Sequence, residues 1–196
     1  MGRHLLVWDA PNVDMTLANI IDGKPTAKDR PDLAVLGDWL VDHAGGDDTV
    51  EACVFINVAA HVAGALRGWV MWLLEEGFRV FAKPKHDDSD VDDDMLEHLW
   101  DRLDQGDLEA VYVGSNDAKA FAEPLEQVAG SGIAVTVLGF AEYAGGLTAV
   151  EGVRFVDLES IEGLFAEPLP RITLETLPEE GRWFEPTGRL GGRVDA

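Results

Sequence analysis

Basic residues are scarce in this chain. Of its 196 residues, 15 are Lys or Arg against 37 Asp or Glu, for a formal net charge of −22. That balance excludes an electropositive coat of the kind that draws in long nucleic acids. Cysteine occurs once, so no internal disulfide is available. Its setting, Val50-Glu-Ala-Cys53-Val-Phe-Ile56, reads as a buried, inert thiol suited to a reducing cytoplasm. No basic-then-apolar leader for export is visible at the start. The most apolar region, residues 52–74, is broken by Asn57, His61 and Arg67, so no membrane span is expected. The five histidines stand singly, without metal-site spacing, and His61 and His98 read as ordinary, partly exposed helix residues. A G-x-x-x-x-G-K-[ST] phosphate loop, a G-x-G-x-x-G turn and a G-x-S-x-G elbow are all missing, which sets aside P-loop, dinucleotide and serine-hydrolase chemistry. No internal repeat is apparent.

What is present is a packed α/β pattern. Hydrophobic residues make up 46% of the chain and include six Trp. Short apolar runs closed by turn residues, the mark of buried parallel strands, fall at residues 4–9, 49–58, 78–82, 108–113 and 133–138, with a shorter one at 153–157. Helical periodicity falls between them, at 15–21, 31–43, 61–76, 95–103 and 118–129, and again at 158–165. Such alternation predicts βαβ units: a doubly wound α/β fold whose mostly parallel sheet carries helices on both faces. One domain is expected over residues 1–165. From residue 166 on, Pro, Gly and scattered charges without periodicity predict an irregular tail or arm.

Carboxylates at strand ends are the chemistry that remains. Asp9 stops the first strand, and Pro11 bars its continuation as a central strand. Asp117 closely follows the fourth. In the common 3-2-1-4-5 winding these strands are neighbours at the switch point, where open α/β sheets bind ligands. Asp117 also suits a helix cap, as do Ser115 and Asn116 beside it. A third carboxylate is expected from Asp87-Asp-Ser-Asp90-Val-Asp92-Asp-Asp94, six acids in eight positions. On a helix, Asp92 falls within roughly 20° of the centre of the Met95, Leu96, Leu99, Trp100, Leu103 stripe. Asp90, Asp93 and Asp94 point away from it and read as solvated. A capping box from Ser89 to Asp92 is the competing explanation. Three converging carboxylates oppose one another's ionisation, and a hard cation relieves the conflict. Carboxylate-plus-water ligation suits Mg²⁺ or Mn²⁺ and metal-assisted phosphodiester hydrolysis. Lys83, Lys85 and Lys119, near strand ends in a chain poor in cations, are candidate phosphate contacts.

In these motifs the chain resembles the NYN-domain proteins, a PIN-like nuclease group that includes the LabA-type bacterial proteins. Val7-Trp-Asp9-Ala-Pro-Asn12 matches the family's apolar strand running into Asp-Gly-x-Asn. Lys85 with Val91-Asp92 matches Lys-x-x-x-Val-Asp, and Ser115-Asn-Asp117-Ala-Lys119 matches Ser-x-Asp-x-Asp. Phe155 to Leu158 has the family's ending, and the likeness spans roughly residues 3 to 165. The resemblance implies a metal-dependent ribonuclease with Asp9, Asp92 and Asp117 as ligands and Asn12 as a nearby polar contact. Ser115 and Asn116 would join Lys119 on the substrate side. There are two departures: Ala10 replaces the motif's Gly, and Lys119 replaces its second acid. Lys119 would stand in for a ligand, bind phosphate or silence the site. A non-catalytic RNA- or protein-binding module is therefore the alternative, with a homo-oligomer or a basic protein partner as its setting. A haloacid-dehalogenase-like phosphatase fits less well, because Pro11 stands where its second Asp belongs.

Overall fold

The computed structural model describes residues 2–86 and 90–171, together with positions 174, 177, 179–181 and 183. Six strands, all parallel, lie in the order β3-β2-β1-β4-β5-β6. They are β1 (Arg3–Asp9), β2 (Thr49–Val58), β3 (Arg79–Pro84), β4 (Leu108–Gly114), β5 (Ala134–Gly139) and β6 (Val153–Asp157). The helices are α1 (Ala10–Ile21), α2 (Leu33–Ala44), α3 (Ala63–Glu75), α4 (Asp92–Gln105) and α5 (Ala118–Gly130). The expected α/β doubly wound fold is thus the observed one, with the 153–157 segment as a sixth strand.

Strand periodicity sends alternate side chains to two separate cores. Leu6 and Trp8 of β1, with Val54 and Ile56 of β2, pack against α1, α2 and α3. Leu5 and Val7, with Cys53 and Phe55, pack against α4 and α5. The chain covers one face as it runs outward from β1 to β3. It then crosses back through α4 to β4 and covers the other face, so the winding reverses between β1 and β4. Gly114 ends β4 where a Cβ would lie 2.1 Å from Cε3 of Trp8, so only glycine lets these central strands close up at the switch point.

Several boundaries differ from the sequence reading. The first helix starts at Ala10, directly after β1, instead of at residue 15. Pro11 sits in its first turn, where a missing N–H costs nothing. Lys83 and Pro84 belong to β3, which is an edge strand and can accept a proline at its end. Residues 158–165 are not a helix. A 3₁₀ turn spans Leu158–Ser160, and Gly163 at φ +78° turns the chain away. Leu158, Ile161 and Leu164 are nevertheless buried, so their i, i+3 spacing reports packing and not a helix. Leu169 joins the same core, which carries the packed body slightly past residue 165. Most of the predicted tail lies outside the described residues, as do Asp87, Asp88 and Ser89 of the acidic segment. The Ser89 of the competing capping box thus lies outside the described residues, and Val91, the N-cap of α4, makes no side-chain capping bond. Among the described residues, no helix is long and apolar enough to cross a membrane.

Candidate metal and phosphate site

Asp9 is at once the last residue of β1 and the N-cap of α1. Its Oδ1 accepts the Asn12 N–H at 3.0 Å and its Oδ2 accepts the Ser115 hydroxyl at 3.2 Å. Asp117 has the same double role beside the neighbouring strand. It follows β4, caps α5, and accepts the N–H groups of Lys119 and Ala120 on a single oxygen, Oδ1, at 2.9 and 3.1 Å. Capping occupies Oδ1 alone, and Oδ2 takes part in neither capping bond. Ser115 ties the two together. Fully buried, it donates to Asp9 and its Oγ accepts the Asp117 N–H at 3.1 Å.

Asp92 opens α4 and reaches the same place from above the sheet, with Met95 and Leu99 of its stripe buried beneath. Its carboxyl interacts with that of Asp9. Burial, and then the Asp92 charge, push the Asp9 carboxyl up to about 7 against the pull of the Asn12 N–H. Burial, Asp90 and Asp117 push Asp92 up to about 6. Asp9, Asp92 and Asp117 make no ion pair among the described residues. Carboxylate donors without a countercharge suit a hard divalent cation, although the ligand atoms of these three do not all lie within 4.8 Å of one another.

The remaining candidates divide. The Asn12 side chain accepts the Asn116 N–H at 2.8 Å, which joins the loops after β1 and β4. The Asn116 amide clasps the Phe140 backbone from both sides, donating to its O at 2.9 Å and accepting its N–H at 3.0 Å. This amide and the buried Ser115 are thus engaged in shaping the site. Lys119 stands exposed in the first turn of α5. Lys83 ion-pairs with Asp94, which corrects the reading of Asp94 as a solvated acid and occupies the Lys83 ammonium. Lys85 is exposed and lines a different cavity, described below.

A second polar cluster was not visible in the sequence. Glu51 and Cys53 of β2 meet His98 of α4, so the histidine does not stand alone. One ligand atom from each lies within 4.8 Å of the others, and such a Glu, Cys, His group can hold a metal ion. Its charges are already matched, however. Glu51 accepts hydrogen bonds from Arg3, Arg79 and Arg102, and the last two share Oε1 with the Cys53 thiol. Burial would raise the Glu51 carboxyl, yet Arg102 and Arg79 hold it below the usual carboxylate range. Burial, and next Glu51, push the Cys53 thiol up to about 12, so it is inert as a nucleophile. An ion here would have to displace guanidinium groups. The arginine partners of Glu51 lie 28 to 51 residues away in the chain, so local spacing carried no signal of their meeting.

No family model matches the chain, and no curated protein matches it. A solved structure of a protein of unknown function from Vibrio parahaemolyticus is similar in fold. The TM-score is 0.61 at 21% identity, over 84% of this chain and 95% of that one. The likeness establishes an α/β architecture that the two proteins share.

Proposed function

We infer that this chain is a metal-dependent nuclease that hydrolyses phosphodiester bonds of RNA, in keeping with its resemblance to the NYN-domain proteins. The observation that carries the reading is the pair of strand-end caps, Asp9 and Asp117, joined through Ser115 at the switch point, with Asp92 coupled electrostatically to both and none of the three in an ion pair among the described residues. Folding holds these like charges together in spite of their repulsion, as a site built for a bound countercharge would. Asp9, Asp92 and Asp117 are the residues that would hold Mg²⁺ or Mn²⁺. Such an ion supplies Lewis acidity towards a phosphoryl oxygen and lowers the pKa of a water. The chain's own contribution is to fix the donors. The Asn12 N–H and the Ser115 hydroxyl lock the Asp9 rotamer, the α5 backbone locks Asp117, and the buried α4 stripe sets Asp92. Lys119, exposed beside Asp117, is the residue placed to meet a substrate phosphate.

The test is cleavage of a fluorogenic single-stranded RNA in Mn²⁺ or Mg²⁺. Activity is expected to vanish with EDTA and in Asp9→Asn, and to persist in Asp94→Asn. Wild-type cleavage by Asp9→Asn would overturn the reading. Manganese affinity should fall in Asp9→Asn and hold in Cys53→Ser, which separates the two candidate metal groups. A second reading, a non-catalytic RNA- or protein-binding module, is favoured by one feature: a cation, Lys119, stands where the resemblance expects an acid. On that reading, Lys119→Asp creates activity and tightens metal binding.

A further inference from the structure

Across β1 from the carboxylates, on the side of α1 and α3, lies a cavity of about 820 Å³. This is within the range of sites that hold small organic ligands. Three of the six tryptophans line it: Trp8 at the end of β1, and Trp69 and Trp72 of α3. Trp69 and Trp72 are only half-buried, and none of the three indoles stacks on another aromatic ring among the described residues. Three of the chain's fifteen basic residues, Lys28, Arg30 and Lys85, line the same cavity. Arg30 grips Asp14 of α1 through three hydrogen bonds of 2.8, 3.2 and 2.6 Å, which fixes the wall formed by the loop before α2. Lys28 and Lys85 are exposed and carry no ion pair among the described residues. Ala10 and Pro11, which directly follow Asp9, belong to the lining, so cavity and carboxylate site abut across the first turn of α1.

We propose that this cavity is a nucleobase pocket, which seats one unpaired base of an RNA strand whose backbone runs on past Asp9, Asp92 and Asp117. The inference rests on the nuclease reading for the identity of the strand. Its own support is the chemistry of the cavity. Every base has a π-face that an indole can stack upon, and cations at the rim suit the phosphate attached to it. Asp14 and Asp32 share the lining, but Asp14 is spent on Arg30 and Asp32 on capping α2, so Lys28 and Lys85 leave a small positive excess that an apolar peptide would not need and an anionic partner would use. Stacking is sequence-tolerant, so the pocket selects single strands over duplexes, in which the bases are already stacked.

The test is binding, kept apart from cleavage. A short single-stranded RNA is titrated into the full chain in EDTA, alongside the same oligomer with one abasic position, with tryptophan fluorescence and calorimetry as readouts. The intact strand should quench tryptophan and bind more tightly than the abasic one. Trp69→Ala should weaken binding by roughly tenfold, the scale of one lost stack. Trp69→Phe should restore much of it, and Lys28→Ala with Lys85→Ala should flatten its salt dependence. Equal affinity for intact and abasic strands would overturn the proposal, as would loss in Trp69→Ala without rescue by Trp69→Phe. Quenching by an apolar probe but not by RNA would overturn it too. Preference for a base-bearing strand by a chain that never cleaves RNA would keep the pocket and remove the nuclease reading. The two can therefore fail separately.

Discussion

Asp9 and Glu51 are carboxylates of comparable burial, 2% and 7% exposed, on neighbouring strands and facing the same helix layer, yet they are displaced in opposite directions. Glu51 is gripped by three arginines and stays an anion. Asp9 has two neutral hydrogen-bond donors and two acidic neighbours, and holds its proton to about 7. Burial raises both; the partners decide the outcome. Three arginines of this base-poor chain meet on one glutamate, and among the described residues none pairs with Asp9, Asp92 or Asp117. Glu51 binds the fold together, whereas the strand-end acids are a charge conflict that the fold tolerates.

The sharpest way to break this contrast is activity. Asp9→Asn should lower RNA cleavage by on the order of a hundredfold or more, the scale of losing one electrostatic contact to a transition state. Glu51→Gln should leave cleavage per folded molecule nearly intact. Its effect belongs to stability instead. Removing the charge that Arg3, Arg79 and Arg102 share should destabilise the chain by about 3 kcal/mol, read from urea unfolding. Equal effects of the two changes on both measurements would erase the distinction between the regions.

Next in size is the pH dependence of the metal-free protein. The Asp9 and Asp92 values are raised to about 7 and about 6, so the folded chain keeps protons that the unfolded chain has released. This cluster's contribution to stability must therefore fall as pH rises from about 4 through about 7. Asp9→Asn removes most of that slope and should melt several degrees above wild type at pH 8, with little difference at pH 4. The isosteric amide can keep the Asn12 bond while losing the charge. Saturating Mn²⁺ should reverse the order at pH 8, since a ligand bound only to the folded state adds about 2.7 kcal/mol at a hundred times its Kd. A wild-type melt that rises with pH between 5 and 8 relative to Asp9→Asn would contradict the charge conflict. The smallest effects are expected at the rim. Lys119→Ala should weaken RNA binding a few-fold and leave Mn²⁺ affinity unchanged, while Asp94→Asn should change melting by no more than about 1 kcal/mol, the scale of a partly exposed ion pair with Lys83.

The strand-end acids were legible in the sequence because their signals are local. Asp9 and Asp117 each close an apolar run, and Asp92 shares a helical stripe with Met95 and Leu99, so period and punctuation suffice. Strand order followed from the preference of doubly wound sheets for one winding. The Glu51 cluster was illegible because its arginines arrive from β1, β3 and α4, and no periodicity encodes such a meeting. Pro11 misled for a different reason: a proline that ends a strand can equally begin a helix, and only the Asp9 cap distinguishes the two. The stretch after β6 misled through burial, since Leu158, Ile161 and Leu164 reach the core along a path that Gly163 bends. The tryptophan-lined cavity draws on β1, α1, α3 and the loop before α2, and no single window of sequence holds it.

The outer strand β3 governs how far this sheet can grow. Four of its six positions are exposed, so its free edge would be an invitation to any extended segment from another molecule. That edge is guarded at both ends. Arg79 sets a cation at the first rung, and Pro84 at the last has no N–H to donate. A visiting strand would meet charge where it begins and a missing donor where it finishes. Sheet-to-sheet fusion is discouraged on this side, which leaves β6 as the edge by which the sheet could be extended.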